Sequence, residues 1–98
     1  YYEKSIKISP NYADAYNNLA GILADQKKYN KAIEYLQKAI KINPNLAEAF
    51  YNLGNAFFSL NKYSESIDNY NRAIKIKPNY AKAYNNLGNV LKKIKRIN

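Results

Sequence analysis

The sequence predicts an all-α fold, a solenoid of antiparallel helix pairs, from three observations. Pro10, Pro44 and Pro78 recur every 34 residues. Each is followed by nearly the same wording: NYADAYNNLAG at 11–21, NLAEAFYNLGN at 45–55 and NYAKAYNNLGN at 79–89. Within each block the apolar residues recur at i, i+3, i+4 and i+7, the spacing of one helix face. A fixed period of this length marks stacked supersecondary units.

Taken in order, residues 1–8 read as the end of a helix, because Ile6 and Ile8 continue the pattern of Ile40-Lys41-Ile42 and Ile74-Lys75-Ile76. Ser9, Asn43 and Lys77 precede proline and are pushed out of the α region, so a helix is expected to stop at each. Asn11, Asn45 and Asn79 are then expected as N-caps. Asp14 and Glu48 complete a capping-box pattern that Lys82 breaks. A first helix is expected over 12–26, with the stripe Tyr16, Leu19, Ala20, Leu23. The same stripe reads Phe50, Leu53, Gly54, Phe57 and then Tyr84, Leu87, Gly88, Leu91. Turns follow at Lys27-Lys28-Tyr29 and Asn61-Lys62-Tyr63, where Asn61 suits a left-handed helix end better than Lys27 does. Second helices are expected from N-caps Asn30 and Ser64. Their stripes are Ala32, Ile33, Leu36, Ala39, Ile40 and Ser66, Ile67, Tyr70, Ala73, Ile74. So short a connection makes the two helices antiparallel neighbours.

Composition narrows the function classes. The 98 residues suffice for one compact domain, and 47% hydrophobic residues can build a core. With no Cys and no His there is no disulfide framework, no thiolate or imidazole metal site, and no cysteine nucleophile. The seven acids are scattered, no Gly-rich phosphate loop is present, and no cofactor is implied. These residues are therefore not read as an enzyme. If the parent protein is one, its chemistry lies outside them. No apolar run reaches the length of a membrane span, and there is no signal-peptide core. An intracellular location, cytoplasmic or nuclear, is the expectation. The chain begins mid-pattern and reads as a piece of a longer array.

The signature aromatic-x-x-Leu-small-x-x-apolar, followed by small, bulky, small and Pro, resembles the tetratricopeptide repeat. It is carried by Phe50, Leu53, Gly54, Phe57, Ser66, Tyr70, Ala73 and Pro78, and by their counterparts from Tyr16 to Pro44. Departures are mild: Ser5 and Ser66 replace Ala, Lys27 and Lys95 replace the turn Gly, and Ile97 replaces the turn Tyr. The resemblance divides the chain into 1–12, the second helix of a preceding repeat; 13–46 and 47–80, two repeats; and 81–98, the first helix of a following one. It implies a right-handed superhelix whose first helices line a concave groove for an extended protein or peptide partner.

The groove candidates are the first-helix residues outside the packing stripe. Asn18, Asn52 and Asn86 recur at the period and would form a ladder of amides, each able to donate to and accept from a peptide backbone. The doubled Asn-Asn-Leu-Gly-Asn wording is similar to the asparagine ladder of O-linked N-acetylglucosamine transferases, whose substrate-binding arm is one alternative. Tyr51, Asn55 and Phe58 share a face and are candidate anchors, with Asn89 at the position of Asn55. The Lys-Asn-Arg clamp of cochaperone repeats is largely absent, since its leading Lys position is Asn17 or Tyr51 and its Arg position is Asn86.

The net charge of +9, from 16 Lys and Arg against 7 acids, falls elsewhere. Lys4, Lys38 and Arg72, and Lys7, Lys41 and Lys75, recur along two expected convex ridges. Their place in the last turns of second helices complements the helix dipole. An anionic surface or nucleic acid could use these ridges, but few aromatics interleave with them, so base stacking is not indicated. A purely structural or assembly role is a further alternative. Leu87, Leu91, Ile94 and Ile97 have no second helix to cover them, so head-to-tail self-association through the end helices is also expected.

Overall fold

The computed structural model describes residues 8–97, with side chains from 12 to 96. Its elements are five helices: α1 (Ile8–Asp25), α2 (Tyr29–Ile42), α3 (Ala47–Ser59), α4 (Tyr63–Ile76) and α5 (Ala81–Ile97). The fold is all-α. Pairs α1–α2 and α3–α4 pack most closely, α2 abuts α3 and α4 abuts α5, and α1, α3 and α5 touch in sequence along one side. The extents of 52 × 29 × 17 Å are those of a stacked row rather than a round bundle.

The turns after α1 and α3 end in the same way. Lys28 N–H bonds Leu23 C=O at 2.8 Å and Lys27 N–H bonds Ala24 C=O at 2.9 Å. Lys62 and Asn61 repeat this onto Phe57 and Phe58. This is the Schellman arrangement, and it requires a left-handed residue. Lys27 and Asn61 supply it, both at φ 63°. The next helix resumes at once, with Lys28 and Lys62 at its N-cap and no side-chain cap bond. Asn30 and Ser64, expected as caps, therefore lie already inside α2 and α4.

The proline loops correct a second expectation. Leu46, not Asn45, is the N-cap of α3. Leu46 N–H bonds Asn43 C=O at 3.2 Å and Tyr80 N–H bonds Lys77 C=O at 3.0 Å. Pro44-Asn45 and Pro78-Asn79 are thus the central pairs of β-turns, where proline presets the backbone and asparagine fits. Asn43 and Lys77, ahead of proline, leave the α region and end their helices as anticipated. Ser9 does not: α1 runs through Ser9-Pro10 from Ile8. The helix expected over 1–8 lies almost wholly outside the described residues, as do Lys4 and Lys7.

The core runs along the helix-pair seams. Ala13, Ala32, Ala39, Ala49, Ala73 and Ala83 are fully enclosed, which lets backbones approach. Gly54 is the tightest point. A β-carbon there would stand 2.5 Å from Tyr70 Cε1, and Gly54 C=O accepts the buried Ser66 hydroxyl at 2.8 Å. Gly88, its counterpart one period on, has nothing within 4 Å among the described residues. Burial of the expected stripe is deepest in α3, which has a first helix on either side, although Phe57 there is only partly buried. Leu53 is 4% exposed but Leu19 is 38%, and Phe50 is 7% exposed but Tyr84 is 51%. Leu91 is exposed as well. In their place α5 buries Val90 against the preceding pair, a position outside the expected stripe.

Candidate functional site

The site is built from the inner faces of α1, α3 and α5. Consecutive first helices are joined by side-chain amides, and two of the three bonds span one residue more than the repeat. Asn52 Nδ2 donates to Asn17 Oδ1 at 2.9 Å. Asn86 Nδ2 donates to the Tyr51 hydroxyl at 3.1 Å and to Asn55 Oδ1 at 2.9 Å. Each recurrent Asn thus reaches the residue before the preceding Asn, or its aromatic substitute. Asn18 stands exposed on α1.

Asn55 lies at the centre. Its Oδ1 accepts from Asn86 and also from the Tyr70 hydroxyl, which rises from α4 through the floor. Burial pushes the Tyr70 hydroxyl up to about 12, so at neutral pH it holds its proton and donates. Two donors on one oxygen fix the amide orientation. The Asn55 NH2 is turned away from that oxygen, and among the described residues it has no partner. The same logic leaves Asn86 Oδ1 without one. Side by side, the two amides present one donor group and one acceptor.

Two clefts flank this centre. The first, between α1 and α3, is lined by Gly21, Ala24, Asp25, Asn52, Asn55 and Ser59, with Ala32 and Leu36 of α2 as its floor. The second, between α3 and α5, is lined by Asn55, Phe58, Ser59, Tyr70, Asn86 and Asn89. Asn52, Asn55, Asn86, Asn89 and Phe58 are therefore brought together along one groove. Phe58 is half-buried with its ring 5.7 Å from that of Tyr63. Tyr51 sits deeper in the wall, its ring 5.2 Å from Tyr80 and 6.0 Å from Tyr70. The Tyr80 hydroxyl is likewise pushed up to about 12, by burial first and the nearby Glu48 carboxylate second.

The second-helix cations are differently disposed. Lys38 Nζ stands 5.2 Å over the Tyr35 ring and 5.9 Å over Tyr16, whose rings stack 5.7 Å apart. Arg72 pairs with Asp68 at 3.3 Å within α4. Lys41 and Lys75 occupy last turns and are exposed. Among the described residues no group of three acids could hold a metal ion, and no helix is long and apolar enough to cross a membrane.

The stacked pairs, the Gly54–Tyr70 seam and the 34-residue period all fit one family, whose models match the chain. A model for the TPR repeat matches residues 20–61 and 54–95, and a tetratricopeptide repeat model matches 1–34. The chain belongs to the tetratricopeptide repeat family. Such repeats are in general non-catalytic protein-interaction modules. Among solved structures the array is similar to MamA, with 31% identity and a TM-score of 0.81 over 86% of this chain and 49% of that one. It is also similar to YrrB, described as a TPR protein with an unusual peptide-binding site, with 26% identity and a TM-score of 0.77 over 82% of this chain and 41% of that one. The TPR domain of Arabidopsis OM64, 23% identical, shares the fold with a TM-score of 0.86 over 90% of this chain and 73% of that one. The repeats thus span about half the length of MamA and less of YrrB. No curated protein matches the sequence.

Sequence reasoning expected Asn18, Asn52 and Asn86 in one row; Asn52 and Asn86 line the two clefts, Asn18 lines neither, and Asn17 and Tyr70 were missed as supports. The signal for Asn17 was present as a 35-residue spacing beside the 34-residue one. Tyr70 gave no such signal, because a core aromatic and a core aromatic with a useful hydroxyl look alike in sequence.

Proposed function

We propose that this array is a non-catalytic module that holds an extended peptide along the groove of α1, α3 and α5 by its backbone. The observation that carries this reading is the pair of amides beside the clefts: the Asn55 NH2 and Asn86 Oδ1 have no partner among the described residues, while their other halves are already bonded. A peptide unit needs one such donor and one such acceptor, whatever its side chain. Asn52 adds a further amide upstream, and Phe58 and Asn89 supply side-chain contacts. The peptide-binding site named for YrrB is in keeping with this use of the fold. The Asn-Asn-Leu-Gly-Asn wording also leaves a glycosyltransferase's substrate-binding arm as the form such a module could take in a longer protein.

The test is an array of unrelated extended peptides probed with the protein, with Asn52→Ala and with Asn86→Ala. Backbone recognition predicts that the bound peptides all weaken by a similar factor, while circular dichroism shows unchanged helicity. Undiminished binding by both variants would overturn it.

A second reading, head-to-tail self-association, has its own observation. The exposed large hydrophobics among the described residues are Tyr12, Leu19 and Ile22 on α1 and Tyr84 and Leu91 on α5, with none on the three helices between. Mass measured over a wide concentration range separates this from a monomeric module.

A further inference from the structure

The groove carries a charge order that packing does not require. Helix α1 contains Asp14 and Asp25 and no Lys or Arg, whereas α5 contains five cations and no acid. The change falls at matched positions of the repeat. Asp14, Glu48 and Lys82 are one set, and Asp25, Ser59 and Lys93 are another. All six are exposed. Asp25 lines the α1–α3 cleft. Lys92 and Lys93 line a cleft on α5 that shares Asn89 with the α3–α5 cleft. The row of first helices with its adjoining clefts is therefore acidic at α1, carries one acid at α3 and is basic at α5.

Helix electrostatics account for only part of this. Lys95 and Arg96 lie in the last turn of α5, where cations complement the helix dipole. Lys92 and Lys93 lie before that turn. Lys82 lies in the first turn, where a cation opposes the dipole and where α3 carries Glu48. A residue that works against its own helix and continues a gradient set by others points to a requirement outside the helix.

We infer that the groove selects a charge-segregated peptide, with cationic side chains over α1 and acidic ones over α5. This rests on the peptide reading above and adds the chemical class and order of the ligand. Neighbouring helix axes stand about 10 Å apart, so α1 to α5 spans about 20 Å, or about six residues of extended chain. Uniformly acidic or basic peptides would gain at one end of the groove and lose at the other.

The experiment uses three synthetic peptides of one composition: two Lys, about four neutral residues and two Glu; the reversed order; and a form with Lys and Glu alternating. Affinities are measured at low and high salt, for the protein and for the triple variant Asp25→Asn, Lys92→Gln, Lys93→Gln, whose changed side chains are all exposed. The better segregated peptide is expected to bind about tenfold more tightly than the alternating one, from several exposed pairs acting together. High salt and the triple variant are each expected to erase most of that preference. Three peptides binding alike would overturn the charge order while leaving peptide binding intact. Binding of none would remove both. A triple variant that changes the protein's mass against concentration but keeps the peptide preference would assign the charges to contact between copies and overturn the inference.

Discussion

Asn52 donates to Asn17 across the α1–α3 junction, 35 residues back in the chain. Asn17 is 8% exposed, so the bond lies beneath the groove surface rather than on it. In this recurrent residue the NH2 ties adjacent repeats together, while the oxygen has no partner among the described residues.

This bond is expected to be measurable as a coupling. Asn17→Ala and Asn52→Ala should each cost about 1 kcal/mol of stability, with the double variant costing less than their sum by about 0.5–1.5 kcal/mol. Urea denaturation of the four proteins gives the cycle, and simple additivity would show that the two amides do not interact.

The two matched glycines are expected to respond in opposite directions to alanine. At Gly54 a β-carbon meets the ring of Tyr70, which is 1% exposed and cannot swing away. Gly54→Ala should lose about 1–3 kcal/mol from overpacking, more than the helix propensity it gains. Gly88→Ala meets nothing within 4 Å. It should gain about 0.5–1 kcal/mol. Thermal midpoints of the two variants moving the same way would contradict this difference.

Lys27 holds a left-handed backbone at φ 63° that glycine adopts at little cost. Lys27→Gly is expected to raise stability by about 0.5–1 kcal/mol, after allowing for the looser unfolded chain. Asn61→Gly should gain less, since asparagine tolerates this region and Asn61 Oδ1 accepts the Tyr63 hydroxyl at 2.9 Å. Denaturant midpoints decide the order of the two.

Much of the architecture was legible because the period and the helical spacing express the same packing constraint. The chain ends and loops were less so. Pro44-Asn45 carries the composition of both a cap and a turn, and only the bond from Leu46 to Asn43 distinguishes them. Likewise, a stripe read from one helix cannot show how many neighbours that helix will have. Leu19 and Leu53 share a letter but not an environment. Asn52 and Asn86 were visible at the repeat spacing, whereas the orientation of the Asn55 amide depends on Tyr70, whose hydroxyl direction is a property of the assembled floor.

That hydroxyl also gives the array an alkaline limit. The folded-state value of Tyr70 is raised from 10.0 to about 12 by burial. The folded state thus favours the protonated form, and its stability is whole below pH 10 and declines as pH rises through about 12. Tyr70→Phe removes this contribution. It should be less stable than the parent at neutral pH, where Asn55 Oδ1 loses a donor, yet show a shallower loss above pH 10. Parallel alkaline melts, with tyrosinate absorbance as the titration readout, would refute this if both curves fall equally.

Because the Asn52–Asn17 and Asn86–Tyr51 bonds each span one period plus one residue, the chain tolerates changes of length only in whole units. Excising 47–80 would bring α5 directly onto α2 and set Asn86 where Asn52 now stands, against Asn17, with the same pair of carboxamides. Removing or adding a single residue within a helix would instead rotate every later rung by about 100° and leave no amide opposite another. The sequence is thus built for growth and shrinkage by recombination between copies, and is brittle to any smaller edit.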